Sequence, residues 1–269
     1  MLLEIVRKFE YKSDFERLKT LKQILKSKNI KFMEQNYKYF GFSGTNIIVD
    51  MGKAKKHIIL SGHFDAAPGS PGANDDASAI ATLIDVIQKL KKLRLKNKVS
   101  VVFFDDEEIG RFGSISYIKE FGLKDLIVVY HLELCGYGDS IGLWPVVETN
   151  KDSYALKVIE QVLKEKNIYF EKVGQLPAFY GDDLSFREAG FSHALCISVA
   201  PKKDKEAIKR FVKGDLLNVM FDYYAGRIPR MFQLYHSPED KSEHLSEEAL
   251  KMVSDVLVSV VLKFNKENL

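Results

Sequence analysis

The stretch Ser61 to Ala79, SGHFDAAPGSPGANDDASA, sets His63, Asp65, Asn74, Asp75 and Asp76 among small residues, directly after the apolar run Ile58, Ile59, Leu60. That pattern reads as a strand delivering metal ligands into a loop. His63 and Asp65 are two apart, so an extended chain points both side chains to one face, where Asp65 can hold one imidazole nitrogen while the other binds a metal. A neutral nitrogen ligand beside hard carboxylate oxygens suits zinc or a similar divalent ion, cobalt and manganese included.

The same motif of acids at a strand end recurs. Val99 to Phe104 runs into Asp105, Asp106, Glu107 and Glu108, with Gly110 and Gly113 permitting a tight turn. Adjacent side chains in such a turn diverge, so Glu108 can bind metal while Glu107 stays free to take a proton. Leu126 to Leu134 carries His131 and Glu133, and Tyr235 to Asp240 brings a second imidazole, His236, before the last helix. Each residue alone has an ordinary explanation: a helix N-cap for Asp75 or Asp76, loop acids for Glu107 and Glu108, a packed histidine for His131. Their ordered conjunction at strand ends argues for a hydrolytic metal centre. Two imidazoles and three carboxylates exceed the needs of one zinc and suit two sharing a bridging carboxylate.

These residues need a scaffold that converges strand ends. Ser13 to Glu16 reads as a capping box opening an amphipathic helix over about 14 to 28, with Phe15, Leu18, Leu21 and Leu25 on one face. Strands are expected at about 45 to 50, 57 to 62, 99 to 104, 126 to 134 and 194 to 199, and helices at about 77 to 95 and from near Ser246. Apolar strands alternating with helices predict an α/β fold, a three-layer sandwich whose mixed, largely parallel sheet is flanked by helices. In such sheets ligands collect beyond the carboxyl ends of the strands.

With 269 residues and 46% hydrophobic composition, the chain can bury a full core as one domain. Its 40 basic and 37 acidic residues leave only +3, scattered apart from the tail Lys89 to Lys98, so nucleic-acid binding is not expected. No apolar run approaches the roughly 20 residues of a membrane helix, and the first residues lack the apolar core of a secretory signal. Cys135 and Cys196 sit in apolar strand-like segments, which favours buried reduced thiols. A cytoplasmic location is therefore expected.

The order H-x-D, N-D at a helix start, E-E after a strand, an acid on the next strand, then H-S-P-x-D before the final helix resembles the co-catalytic di-zinc aminopeptidases. Their relatives include secreted bacterial leucyl aminopeptidases, glutamate carboxypeptidase and the one-zinc glutaminyl cyclases. The resemblance spans about Thr45 to Leu262 and implies a zinc-exopeptidase fold and release of N-terminal residues from peptides with a free N-terminus. It also implies that His63 and Glu133 hold one zinc, Glu108 and His236 the other, that Asp75 bridges both, that Glu107 is the general base and that Asp65 orients His63. Asp182, in FYGDDLSFREAGF, matches a family aspartate near the substrate. Glu133 stands where aminopeptidases more often have aspartate, Ala79 replaces a customary glycine, and Asp183 replaces histidine.

Rival readings on this fold are weaker. Carboxypeptidase and deacylase relatives insert a lid domain between the fourth ligand and the last histidine, and the interval from Glu133 to His236 leaves too little chain for one. His63 and Asp75 are only twelve apart, which excludes the insertion of the self-compartmentalising aminopeptidases. The cyclases usually lack the first histidine, and a non-catalytic binding homologue would be expected to have lost ligands. The segment at about 201 to 230, charged and then aromatic, is the expected seat of specificity or homo-oligomer assembly. Tyr223, Tyr224, Phe232 and Tyr235 are candidates either for a substrate pocket or for the core.

Overall fold

The computed structural model describes residues 1–175, 179–214 and 216–266, the side chains of Leu216, Asn218, Val219 and Tyr223 excepted. Two helices, α1 (Leu2–Arg7) and α2 (Asp14–Ser27), precede an antiparallel pair, β1 (Met33–Tyr39) and β2 (Phe42–Met51). There follow β3 (His57–His63), α3 (Ser78–Leu90), β4 (Lys98–Phe104), α4 (Phe112–Phe121), β5 (Leu126–Leu132), β6 (Ser140–Trp144), α5 (Tyr154–Glu165) and β7 (Phe170–Lys172). The chain ends with α6 (Asp183–Glu188), β8 (Ala194–Ala200), α7 (Lys205–Lys213), α8 (Leu216–Tyr224), α9 (Arg230–Leu234) and α10 (Glu247–Lys266).

The eight strands form one sheet in the order β1-β2-β4-β3-β5-β8-β6-β7. Its centre, β4-β3-β5-β8, is parallel, while β2 on β4 and β6 on β8 run antiparallel, as expected for a mixed, largely parallel sheet. Most residues of the central strands are apolar and buried on both faces, as strands covered by helices must be. The larger core lies under α1, α2, α3, α5 and α10. The smaller one, with Ile59, Phe104, Tyr117, Val129 and Phe186, lies under α4 and α6.

The expected elements are present with shifted ends. Helix α3 stops at Leu90 rather than near 95; Leu90 is its last buried residue, Leu93 is exposed, and Leu95 reaches the core from outside the helix. The capping box forms at α2, where the Ser13 N–H donates to Glu16 Oε2 at 3.0 Å. Phe15, expected on the buried face, is 75% exposed, and Arg17 takes a buried place on that helix instead. The stretch at 201 to 230 is described except for Asp215 and holds α7 and α8. Both cysteines are buried and unpaired, and burial pushes their thiols well up.

Candidate active site

Strands β4, β3 and β5 lie side by side and parallel, so their carboxyl ends open at the same edge of the sheet. His63 is the last residue of β3 and is 1% exposed. Its Nδ1 lies 3.1 Å from Asp65 Oδ1 and its Nε2 lies 3.1 Å from Asp75 Oδ1. The other Asp75 oxygen, Oδ2, sits 3.1 Å from His236 Nε2, which is also 2.9 Å from Glu108 Oε2. One carboxylate thus lies between two imidazoles, one oxygen facing each.

Glu107 and Glu108 diverge as the turn geometry predicts. Donor atoms of His63, Asp75 and Glu108 lie within 4.8 Å of one another, and so do those of His63, Glu107 and Glu133. His63, Asp65, Asp75, Glu107, Glu108, Glu133 and His236 are therefore one cluster. The His63, Asp75 and Glu133 side chains are nearly inaccessible, whereas that of His236 is 39% exposed, so the cluster opens on the His236 side. Asp182 lies buried at the start of α6 and acts on Glu107 and His131 through its charge.

The electrostatics are those of a site short of positive charge. Burial pushes Glu133 up to about 8 and Asp182 up to about 6, and burial with the charges of Glu133 and Asp182 drives Glu107 well above the ordinary glutamate value. Burial opposes protonation of His236, but the carboxylates of Asp75 and Glu108 raise it to about 10. Against its own burial, Asp75 is held far below its usual value by hydrogen bonding and charge from His236 and His63. Glu108 Oε1 and Asp76 Oδ1 are buried without a hydrogen-bond partner among the described residues. Buried carboxylates crowded around two imidazoles, with acceptor oxygens left over, fit a divalent cation.

The neighbouring residues hold this cluster in place, and several were not apparent in the sequence. Asp76, read there as a helix-start residue, accepts at 3.2 Å from the N–H of His63 and so ties the loop to the end of β3. Asp240 accepts from the N–H groups of Asn74 (2.8 Å) and Asp75 (3.1 Å), which fixes the backbone carrying Asp75; the aspartate of H-S-P-x-D was its only signal. His131, expected to be merely packed, lies 3.3 Å from Glu133 Oε1 through Nε2 and 3.1 Å from Ser61 Oγ through Nδ1. Asp65 does more than orient His63, since its second oxygen accepts from the Glu108 N–H at 3.0 Å. Gly181 leaves the room Glu133 needs: a Cβ there would come 2.7 Å from Glu133 Oε1.

Of the aromatic candidates, Tyr235 stacks on the His236 ring at 3.7 Å between centroids, and Phe232 packs with Phe179 and Phe211 in a separate buried cluster. Tyr224 is 80% exposed, and the Tyr223 side chain lies outside the described residues. No helix among the described residues is long and apolar enough to cross a membrane.

The chain and its fold have known relatives. The chain is 24% identical over 215 residues to the aminopeptidase YwaD of Bacillus subtilis, covering 78% of this chain and 41% of that protein. Its fold matches a zinc aminopeptidase from Bacillus subtilis with a TM-score of 0.66 at 19% identity, over 86% of this chain and 52% of the other. It also matches Porphyromonas gingivalis glutaminyl cyclase with a TM-score of 0.73 at 16% identity, over 98% and 97% of the two chains. The chain thus spans about half the length of the two aminopeptidases, and nearly all of the cyclase. A profile of peptidase family M28 matches residues 46–261, and the chain belongs to that family.

Proposed function

We propose that this chain is a metal-dependent aminopeptidase whose centre holds two divalent cations, zinc foremost. The observation that carries the reading is Asp75, with one oxygen 3.1 Å from His63 Nε2 and the other 3.1 Å from His236 Nε2. His63 and Glu133 would hold one cation, Glu108 and His236 the other, and Asp75 both. When bound, such ions supply Lewis-acid polarisation of the scissile carbonyl and make water a competent nucleophile near neutral pH. The remaining chemistry belongs to the side chains. Glu107 accepts a proton from the attacking water and returns it to the leaving amine nitrogen. Asp65 keeps the His63 proton on Nδ1, leaving Nε2 free to coordinate. Carboxylates outnumber imidazoles in the cavity, which favours a substrate bringing a positive α-amine.

The test is a panel of aminoacyl p-nitroanilides, their N-acetylated counterparts and a peptide beginning with glutamine, offered to zinc-reconstituted protein. Cleavage confined to free α-amines is expected. Cleavage confined to blocked substrates would overturn the reading, as would cyclisation of the N-terminal glutamine as the sole reaction, the outcome that the full-length match to the cyclase fold would then explain.

A further inference from the structure

Residues 1–45 precede the span matched to the family, yet α2 sends a side chain to the back of the site. Arg17 is fully buried. Its guanidinium donates from Nε to Phe64 O, from Nη1 to Phe9 O (3.2 Å) and Pro71 O (3.4 Å), and from Nη2 to Gly72 O (3.2 Å). All but one of these acceptors belong to the loop that runs from His63 to Asp75. Gly72 makes the approach feasible, since it has φ +67° and a Cβ there would lie 2.5 Å from Nη1. The same helix adds a second tie, Asp14 Oδ1 accepting from the Ala66 N–H at 3.2 Å.

Burying a guanidinium is costly unless its donors are satisfied and its charge compensated. Here carbonyls satisfy the donors, and the charge is favoured by Asp65, Asp14, Asp75 and Asp76. A planar fork with fixed donor directions suits several carbonyls of one loop, which a lysine ammonium on a flexible stem cannot match. We propose that Arg17 is a positioning residue for the metal centre, pinning the loop between His63 and Asp75 so that both side chains are preset for the cation. The proposal rests on the metal-site reading above.

The test compares wild type with Arg17→Gln, Arg17→Lys and Asp14→Ala, measuring zinc dissociation constants by chelator competition and thermal midpoints with and without zinc. Outer contacts to metal ligands typically govern about 10–100-fold in affinity, and a loss of that size is expected for both Arg17 variants, with a smaller one for Asp14→Ala. The rise in midpoint on adding zinc should shrink in the same order. A purely structural arginine would lower the midpoint equally with and without metal and leave zinc affinity unchanged, which would overturn the proposal. Should Arg17→Gln fail to fold, unchanged affinity in both Arg17→Lys and Asp14→Ala overturns it equally. Absence of zinc binding by the wild type would instead overturn the site reading itself, and the proposal with it.

Discussion

Asp65→Asn is isosteric, yet it should uncouple the cluster. The Asp65 carboxylate serves two donors, with Oδ1 3.1 Å from His63 Nδ1 and Oδ2 accepting from the Glu108 N–H at 3.0 Å. An asparagine has one acceptor oxygen and one NH2 group, so it can satisfy only one of them. The backbone N–H of Glu108 cannot reorient and claims the oxygen. The NH2 then faces His63 Nδ1, and the imidazole must become an acceptor there, moving its proton to Nε2, the nitrogen that faces Asp75. A proton on Nε2 has to be displaced before a metal can bind. The loss is expected to match the ~10–100-fold typical of altered ligand support, about 1.4–2.8 kcal/mol in binding free energy. This is comparable to the ~1.5–3 kcal/mol of one hydrogen bond to a charged group. Chelator competition on the purified variant gives the number, and circular dichroism confirms the fold. Unchanged zinc affinity in folded Asp65→Asn would refute the tautomer argument.

Glu107→Gln should keep zinc affinity within a few-fold while lowering kcat by about 10²–10⁴; wild-type turnover in the metal-loaded variant would remove Glu107 from the base role. Gly181→Ala places a Cβ 2.7 Å from Glu133 Oε1 and 2.9 Å from Cδ2 of the buried His131, so it should weaken zinc binding and also lower the metal-free melting midpoint; unchanged zinc affinity would show that Glu133 can shift freely. Burial raises Asp105 and Asp240 from 3.8 to about 7, and a carboxyl raised in the folded state contributes stability below its unfolded value that is lost as pH rises through the folded one. Metal-free protein should therefore melt at progressively lower temperature from pH 5 to pH 8. His236, raised from 6.5 to about 10, adds to the trend at its alkaline end, and Asp75, ionised throughout, does not oppose it; His57, His131 and His193, lowered by burial, do oppose it but are outnumbered by the raised groups, Glu133 and Asp182 among them. Melting in chelator across that range checks this, and a midpoint rising toward pH 8 would contradict it.

Placements that follow from local spacing were legible in the sequence. The spacing of two between His63 and Asp65 sufficed even though β3 ends at His63, since Asp65 Oδ1 still reaches the ring at 3.1 Å, and Glu107 and Glu108 part into different groups of donor atoms across the turn. The central strands showed as apolar runs because helices cover both faces. What stayed hidden depends on distant partners. Asp76 sits beside Asp75 in the chain, but its bond to the His63 N–H exists only once the loop folds back on β3. Asp240 and Arg17 meet the metal loop from 165 and 55 residues away in sequence, and no local pattern encodes such pairings. Edge elements were also hard to read: β1 exposes most of its residues and β7 has only three, so neither carries an apolar signature.

Metal stoichiometry tests the central claim most directly. Protein stripped with chelator, reloaded with zinc, freed of excess metal and measured by elemental analysis against protein concentration should hold two zinc ions per chain. Asp75→Ala, which removes the carboxylate between His63 and His236, should hold fewer under the same conditions. One ion in the wild type, or two retained in Asp75→Ala with undiminished affinity, would contradict a centre built on that shared carboxylate.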